Sequence, residues 1–275
     1  MPVAPDQLMT APLDYQQTMR LNTFGFLELR RRLDPGLVGE IGAAMAALFG
    51  DAETAEVEEG LWQAAPELAD RLFATAAFAD AAGSILGYDF AYVRSSCLRL
   101  GADRPWRVGS GVLRWPLPHV TLLLYPHAVD RASGCMRVVP FSHQNFLRLL
   151  DARWDRAPDY LYGLRNPDLR WQHNAFGVAD QDIPSLPLES NPGDLLVITE
   201  DALHASFGSR RRDYLAATFM ANPQHEHFYF LRELQASGGG LRPPKAMLES
   251  AHESVQRMAR AVLEAPALID VERAG

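Results

Sequence analysis

The apolar and polar positions divide the chain into a helical start and a strand-rich middle. Residues 24–30 (Phe-Gly-Phe-Leu-Glu-Leu-Arg) alternate, which is the two-residue period of a half-buried strand. Asp34-Pro35 supplies an N-cap and a first-turn proline. Leu37, Val38, Ile41, Met45 and Leu48 follow at helical spacing, and Gly50 is a natural stop. A second helix is predicted from about Pro66 to Gly87, with Leu68, Leu72, Phe73, Ala76 and Ile85 on one face. Strands are then predicted at 89–99, His119–Tyr125, Cys135–Val139, Leu195–Thr199 and Tyr214–Met220. Turn clusters separate them, such as Asp130-Arg131-Ala132-Ser133-Gly134 and Asn191-Pro192-Gly193-Asp194. Short strands with this punctuation, and no strand–helix–strand units, indicate a sandwich or jelly roll.

Residues 151–190 break the pattern. They are rich in Pro, Asp and aromatics (Trp154, Tyr160, Tyr162, Trp171, Phe176), which suits a lid or binding loop and equally a packed surface excursion. A Gly238-Gly239-Gly240 run leads into a helix expected near 244–263. No internal repeat is present, and the whole of 1–275 is read as one domain, mainly β with flanking helices.

Composition narrows the function classes. With 26 basic and 34 acidic side chains, the net charge of −8 argues against a nucleic-acid binder and against an anionic membrane surface. Cys97 and Cys135 have neither metal-ligand nor redox spacing, so they are expected as buried thiols. The first residues, Met-Pro-Val-Ala-Pro-Asp-Gln, lack the basic and apolar regions of a secretory leader, and no apolar run reaches the length of a membrane span. A cytoplasmic, reducing compartment is expected.

Five stretches, in order, carry a family resemblance: Phe24-Gly-Phe-Leu-Glu-Leu, Pro105-Trp106, Ser133-Gly134-Cys-Met-Arg-Val-Val-Pro140-Phe-Ser-His143, Gly193-Asp194-Leu-Leu, and His204-Ala-Ser206. Over roughly residues 20–222 the chain resembles the phytanoyl-CoA dioxygenase (PhyH)-like family of Fe(II)/2-oxoglutarate oxygenases. The resemblance implies a double-stranded β-helix (jelly-roll, cupin-like) core with a site in the mouth of the barrel. Such enzymes hold iron with a His-x-Asp pair and a distant His. Residues i and i+2 of a strand share a face, so the pair aims into the barrel and the distant His closes a facial triad.

Here the triad looks degenerate. Aligned with the family's Pro-Trp-His-x-Asp, Arg107 takes the His position and Gly109 the Asp position; His204 is the retained distant His. A guanidinium has no lone pair for a metal and glycine has no side chain. Related halogenases replace only the carboxylate and keep both histidines, so Arg107 argues against halogenation. The expectation is therefore no metal site and no cofactor. The alternative is Fe(II) with 2-oxoglutarate, bound by rearranged ligands, for which Asp103 is the nearest upstream carboxylate.

Other candidates follow from position. Arg212, or alternatively Arg211, matches the family's cosubstrate arginine, which binds a carboxylate in a bidentate pair; a solvated basic turn is the competing interpretation. Arg210 is expected at the surface. His119 opens a strand whose face it shares with Thr121 and Leu123, making His119 and Thr121 candidate substrate contacts, with Trp106 beside Arg107 as another. His225 and His227 flank Glu226 in a spacing able to chelate, though strand-end polar residues explain them as well. His143 matches a structural position of the family. His127 is expected in a turn, and His173 and His252 carry no signal.

Ferrous iron with one carboxylate and two neutral imidazoles leaves a single net positive charge, and so does Arg107 beside neutral His204. A fixed guanidinium could steer a carboxylate, enolate or oxyanion. His204, with an unperturbed pKa of about 6.5, suits proton transfer near neutrality. The expected function is an iron-independent, PhyH-fold small-molecule enzyme catalysing a non-oxidative cyclisation, isomerisation or elimination, such as occurs in secondary metabolism. Two alternatives stand beside it: an active Fe(II)/2-oxoglutarate hydroxylase, and a non-catalytic ligand-binding or partner-subunit protein. The expected partner is a small molecule, carboxylate-bearing if Arg212 binds it; nothing in the sequence selects an oligomeric state.

Overall fold

The computed structural model describes residues 12–108, 116–144, 178–208, 210–224, 227, 230–231 and 242–272. The chain opens with helix α1 (Tyr15–Phe24), whose Asp14–Gln17 capping box satisfies its first turn. Strand β1 (Phe26–Leu29) follows. Helix α2 (Pro35–Phe49) starts where the sequence predicts: the Asp34 carboxylate accepts from the Leu37 N–H at 2.9 Å, with Pro35 in the first turn. Strand β2 (Ala55–Glu58) and the short helix α3 (Gly60–Ala64) come next.

The single helix expected over 66–87 is two, α4 (Pro66–Phe73) and α5 (Ala76–Leu86). Thr75 divides them. Its hydroxyl donates to the Leu72 carbonyl at 2.7 Å and accepts from the Phe78 N–H, so it closes one helix and caps the next. The remaining strands are β3 (Ala91–Leu100), β4 (Arg104–Arg107), β5 (His119–Leu124), β6 (Met136–Val138), β7 (Leu186–Pro187), β8 (Leu195–Thr199), β9 (His204–Ser206) and β10 (Arg212–Met220). Helices α6 (Lys245–Leu248) and α7 (Glu253–Glu272) replace the one helix expected at 244–263. Ser250 causes the break: its Oγ accepts from the His252 N–H at 2.9 Å.

Two antiparallel sheets face each other. The larger has strand order β1-β8-β5-β10-β3-β2 and the smaller β4-β9-β6-β7. The fold is thus mainly β with flanking helices, as expected. Alternation along each strand of the larger sheet sorts its side chains into two cores. Val120, Leu122, Leu124, Leu195, Val197, Leu215 and Phe219 point outward and bury Ile41, Met45, Phe73 and Phe78 of the helical layer. Leu98, Leu123, Ile198 and Tyr214 point inward and meet Met136 and Val138 of the smaller sheet.

A bulge in β3 adjusts this sorting. Thr218 pairs with Arg94 but Phe219 pairs with Tyr92, so Val93 is the extra residue. The helix-facing set therefore runs Tyr92, Ser95, Cys97, while Arg94, Ser96 and Leu98 face the interior between the sheets. Most of the 151–190 segment, residues 151–177, lies outside the described residues; its last part forms a 3-10 turn (Asp180–Asp182) and β7. Cys97 and Cys135 are free and buried, and burial pushes both thiols up to about 12. Among the described residues, no helix is long and apolar enough to cross a membrane.

Candidate active site

The motif residues farthest apart in sequence meet around β9. Val139 N–H donates to the Leu203 carbonyl at 2.9 Å. Ser142 Oγ donates to the Val139 carbonyl at 2.6 Å and accepts from the Leu203 N–H at 2.8 Å. These bonds fix the chain one residue before His204. In β9, His204 then pairs with Val138 on one side and with Arg107 of β4 on the other. Two further motif residues hold the frame. Asp194 accepts from the Arg31 N–H and the Arg30 guanidinium at the start of β8, and His143 lies against Gly25 with Nε2 2.9 Å from the Asn22 carbonyl. Gly25 has φ +84°, and a Cβ there would come 2.5 Å from His143 Nδ1, so only glycine fits.

Arg107 and His204 both line a cavity of about 620 Å³ between the two sheets. His204 is buried, and its Nδ1 lies 2.9 Å from the Ala202 carbonyl. A carbonyl can only accept, so the proton sits on Nδ1 and the imidazole lone pair is on Nε2. Arg107 is half-buried, directly across the β4–β9 ladder.

The opposite wall carries the candidate Thr121 together with Glu200, Thr218 and Arg94, which sequence reasoning did not single out. Thr121 Oγ1 donates to Glu200 Oε1 and lies 2.7 Å from Thr218 Oγ1. Arg94 reaches Glu200 Oε2 at 3.5 Å. Thr121, Thr218 and Glu200 are all buried and all line the cavity, Arg94 with them. The signal for Glu200 was present in the sequence: Leu196, Ile198 and Glu200 share one face by alternation, and Ile198 pairs with Thr121.

Three other candidates lie away from this cavity. Trp106 is fully buried on the far face of β4, packs with Ile183, Leu203 and Ala205, and donates its indole N–H to the Asp180 carbonyl at 2.9 Å. The two-residue strand period puts it opposite Arg107, so the expected substrate contact is a core residue. His119 is buried at the start of β5, with Nδ1 2.8 Å from the Leu117 carbonyl, outside the cavity lining. Arg212 is buried and donates to the carbonyls of Gly208, Arg210 and Ala102, each at 3.1 Å. Burial lowers its pKa, and it too is absent from the lining. Arg211 and Arg210 are exposed. Asp103 is exposed, accepts from the Gly208 N–H at 2.8 Å and does not line the cavity. Gly109, His225, Glu226 and His173 lie outside the described residues.

The phytanoyl-CoA dioxygenase (PhyH) family model matches residues 21–213, well over half of the chain, and the chain belongs to this family of the iron/2-oxoglutarate oxygenase superfamily. It is a PhyH-fold enzyme. No curated protein matches it. Among solved structures it is similar to the non-heme alpha ketoglutarate dependent carbocyclase SnoK from nogalamycin biosynthesis, with 19% identity over 80% of this chain and 90% of that one (TM-score 0.54). The epimerase SnoN in complex with Fe3+, alpha ketoglutarate and nogalamycin RO is 16% identical over 75% and 83% (TM-score 0.54). EvdO2 from Micromonospora carbonacea var. aurantiaca complexed with 2-oxoglutarate is 14% identical over 79% and 95% (TM-score 0.55). At these identities the likeness concerns the fold.

These neighbours correct the expectation that no cofactor belongs here: their fold carries iron and 2-oxoglutarate. That expectation rests on Arg107 and Gly109 as aligned with the family's His and Asp, and does not weigh the Glu200 carboxylate at the same cavity. The described residues nevertheless do not form the family's three-ligand centre. No three His, Cys, Asp or Glu side chains among them converge to hold a metal ion, and the residue across from His204 is a guanidinium.

Proposed function

We propose that this PhyH-family enzyme carries out proton-transfer chemistry on a small organic substrate, in a cyclisation, isomerisation or elimination, with Arg107 and His204 as the reacting pair. One observation carries the proposal: an arginine, Arg107, is held in register with His204 at the wall of a cavity large enough for a metabolite. The Arg107 guanidinium binds a substrate carboxylate, or the negative charge that develops when a proton leaves. His204 takes and returns the proton at Nε2, while the Ala202 carbonyl holds Nδ1–H and keeps the ring in that tautomer. Thr121 belongs to the substrate-facing wall, and Arg212 holds the carbonyls of Gly208, Arg210 and Ala102 together outside it. The buried, unlinked thiols favour a reducing, cytoplasmic setting.

A second reading has its own support. Glu200 brings a buried carboxylate to the same cavity as His204, and the neighbours use iron with 2-oxoglutarate. In this reading the chain oxidises its substrate with those cofactors.

One experiment separates the two. Purified enzyme is incubated with a small-molecule metabolite pool, with Fe(II) and 2-oxoglutarate present in every reaction, and products are identified by mass. The proposal expects products of unchanged mass or products lacking water, formed without matching succinate, and about 100-fold or more slowly by Arg107→Ala and by His204→Ala at unchanged circular dichroism. Succinate formed in step with product, whatever the product's mass, overturns it in favour of the second reading.

A further inference from the structure

The smaller sheet lines the cavity with Arg107, a donor only, and with His204, whose Nε2 carries a lone pair. The larger sheet contributes the row Glu200–Thr121–Thr218, and Glu200 sets the direction of that row. Its carboxylate accepts from Thr121. Thr121 has then used its proton, so at 2.7 Å it can only accept from Thr218. Thr218 has used its proton in turn. What Thr218 presents to the cavity is an oxygen lone pair. Arg94, at 3.5 Å from Oε2 and a third exposed, neutralises the carboxylate. A neutral donor is matched by the Thr218 oxygen; Glu56 and Glu58 of the same sheet line the cavity at its exposed edge strand, Glu56 paired with Arg104 at 3.1 Å.

Resting on the proposed role of Arg107, we infer that the substrate is a hydroxylated carboxylic acid, bound with its carboxylate on Arg107 and its hydroxyl donating to the Thr218 oxygen. Thr218 is a specificity-determining residue, and Thr121 and Glu200 position it by consuming its proton. A keto group at the same place would meet lone pair against lone pair, and a methylene would leave the wall unpaired.

The test uses four dicarboxylates that differ at one carbon: 2-hydroxyglutarate, 2-oxoglutarate, glutarate and glutamate, titrated calorimetrically against the full-length protein. The wild type is expected to bind 2-hydroxyglutarate about tenfold more tightly than 2-oxoglutarate or glutarate. Thr218→Val keeps the shape and removes the acceptor, so the three affinities converge. Thr121→Val frees the Thr218 proton, so the preference moves toward 2-oxoglutarate. This second variant keeps the inference testable if the first does not fold. Arg107→Ala weakens all four ligands together. Equal binding of the hydroxy and keto acids by the wild type, tighter binding of glutamate than of 2-hydroxyglutarate, or a preference that survives in both threonine variants overturns the inference and leaves the role of Arg107 standing. Failure of all four to bind the wild type, or binding indifferent to Arg107→Ala, overturns that role and the inference with it.

Discussion

A single residue type decides most at the site. A guanidinium brings a fixed positive charge and no lone pair, and the proposal for the cavity is built on that chemistry at Arg107, which pairs in register with His204. A second buried residue shows how environment sets the behaviour of a side chain. Glu59 accepts from the Tyr92 hydroxyl, from Ser95 Oγ at 2.8 Å and from the Ser95 N–H at 3.1 Å, which ties α3 to the bulged stretch of β3. Burial raises its pKa above the ordinary 4.5, and these hydrogen bonds offset only part of the rise. Because the folded value is the higher one, Glu59 contributes stability below the ordinary value and loses that contribution as pH rises through the raised folded value. Glu59→Gln keeps the acceptor for Ser95 without the charge. Its stability relative to wild type is expected to increase from mildly acidic to neutral pH, read from urea unfolding at a series of pH values; parallel curves would contradict the account.

Elements were legible where one physical signal dominated. The Asp34-Pro35 start of α2 and the inward and outward alternation of β5, β8 and β10 follow directly from sequence. Breaks set by a single hydroxyl were not, as at Thr75 and Ser250, because a threonine or serine within an apolar-periodic run reads as helix interior until its hydrogen bond is known. The site was half legible for the same reason. Arg107 and His204 stood out by chemistry and the face of Glu200 follows from alternation with Leu196 and Ile198, but Thr218 and Arg94 acquire meaning only through cross-strand register and the β3 bulge. Trp106 was misplaced because adjacency in sequence was taken for adjacency at the site. One element contact invites measurement. Arg99 and Asp213 form a buried two-pronged ion pair, both bonds at 2.8 Å, and Arg99 also donates to the Gly50 carbonyl at the end of α2. Asp213→Ala leaves that guanidinium buried without its carboxylate and is expected to cost about 3–5 kcal/mol in denaturant unfolding. A loss below about 1 kcal/mol would show that the pair does not bind the helical layer to the sheet.

At the scale of the whole molecule, the fold and the site convey different things. The family match and the neighbours establish a PhyH-fold enzyme, and that fold hosts epimerisation and carbocycle formation among the structures it is similar to. The reaction of this chain is set instead by what the two sheets present to the space between them. On one side stand Arg107 and His204, in register; on the other stands a row of oxygens ending in Glu200. A crystal structure of the enzyme soaked with 2-hydroxyglutarate tests the central claim most directly. The account predicts a ligand carboxylate on the Arg107 guanidinium, in reach of His204 Nε2. A ligand seated away from the cavity, or one inside it with Arg107 turned to solvent, would contradict it.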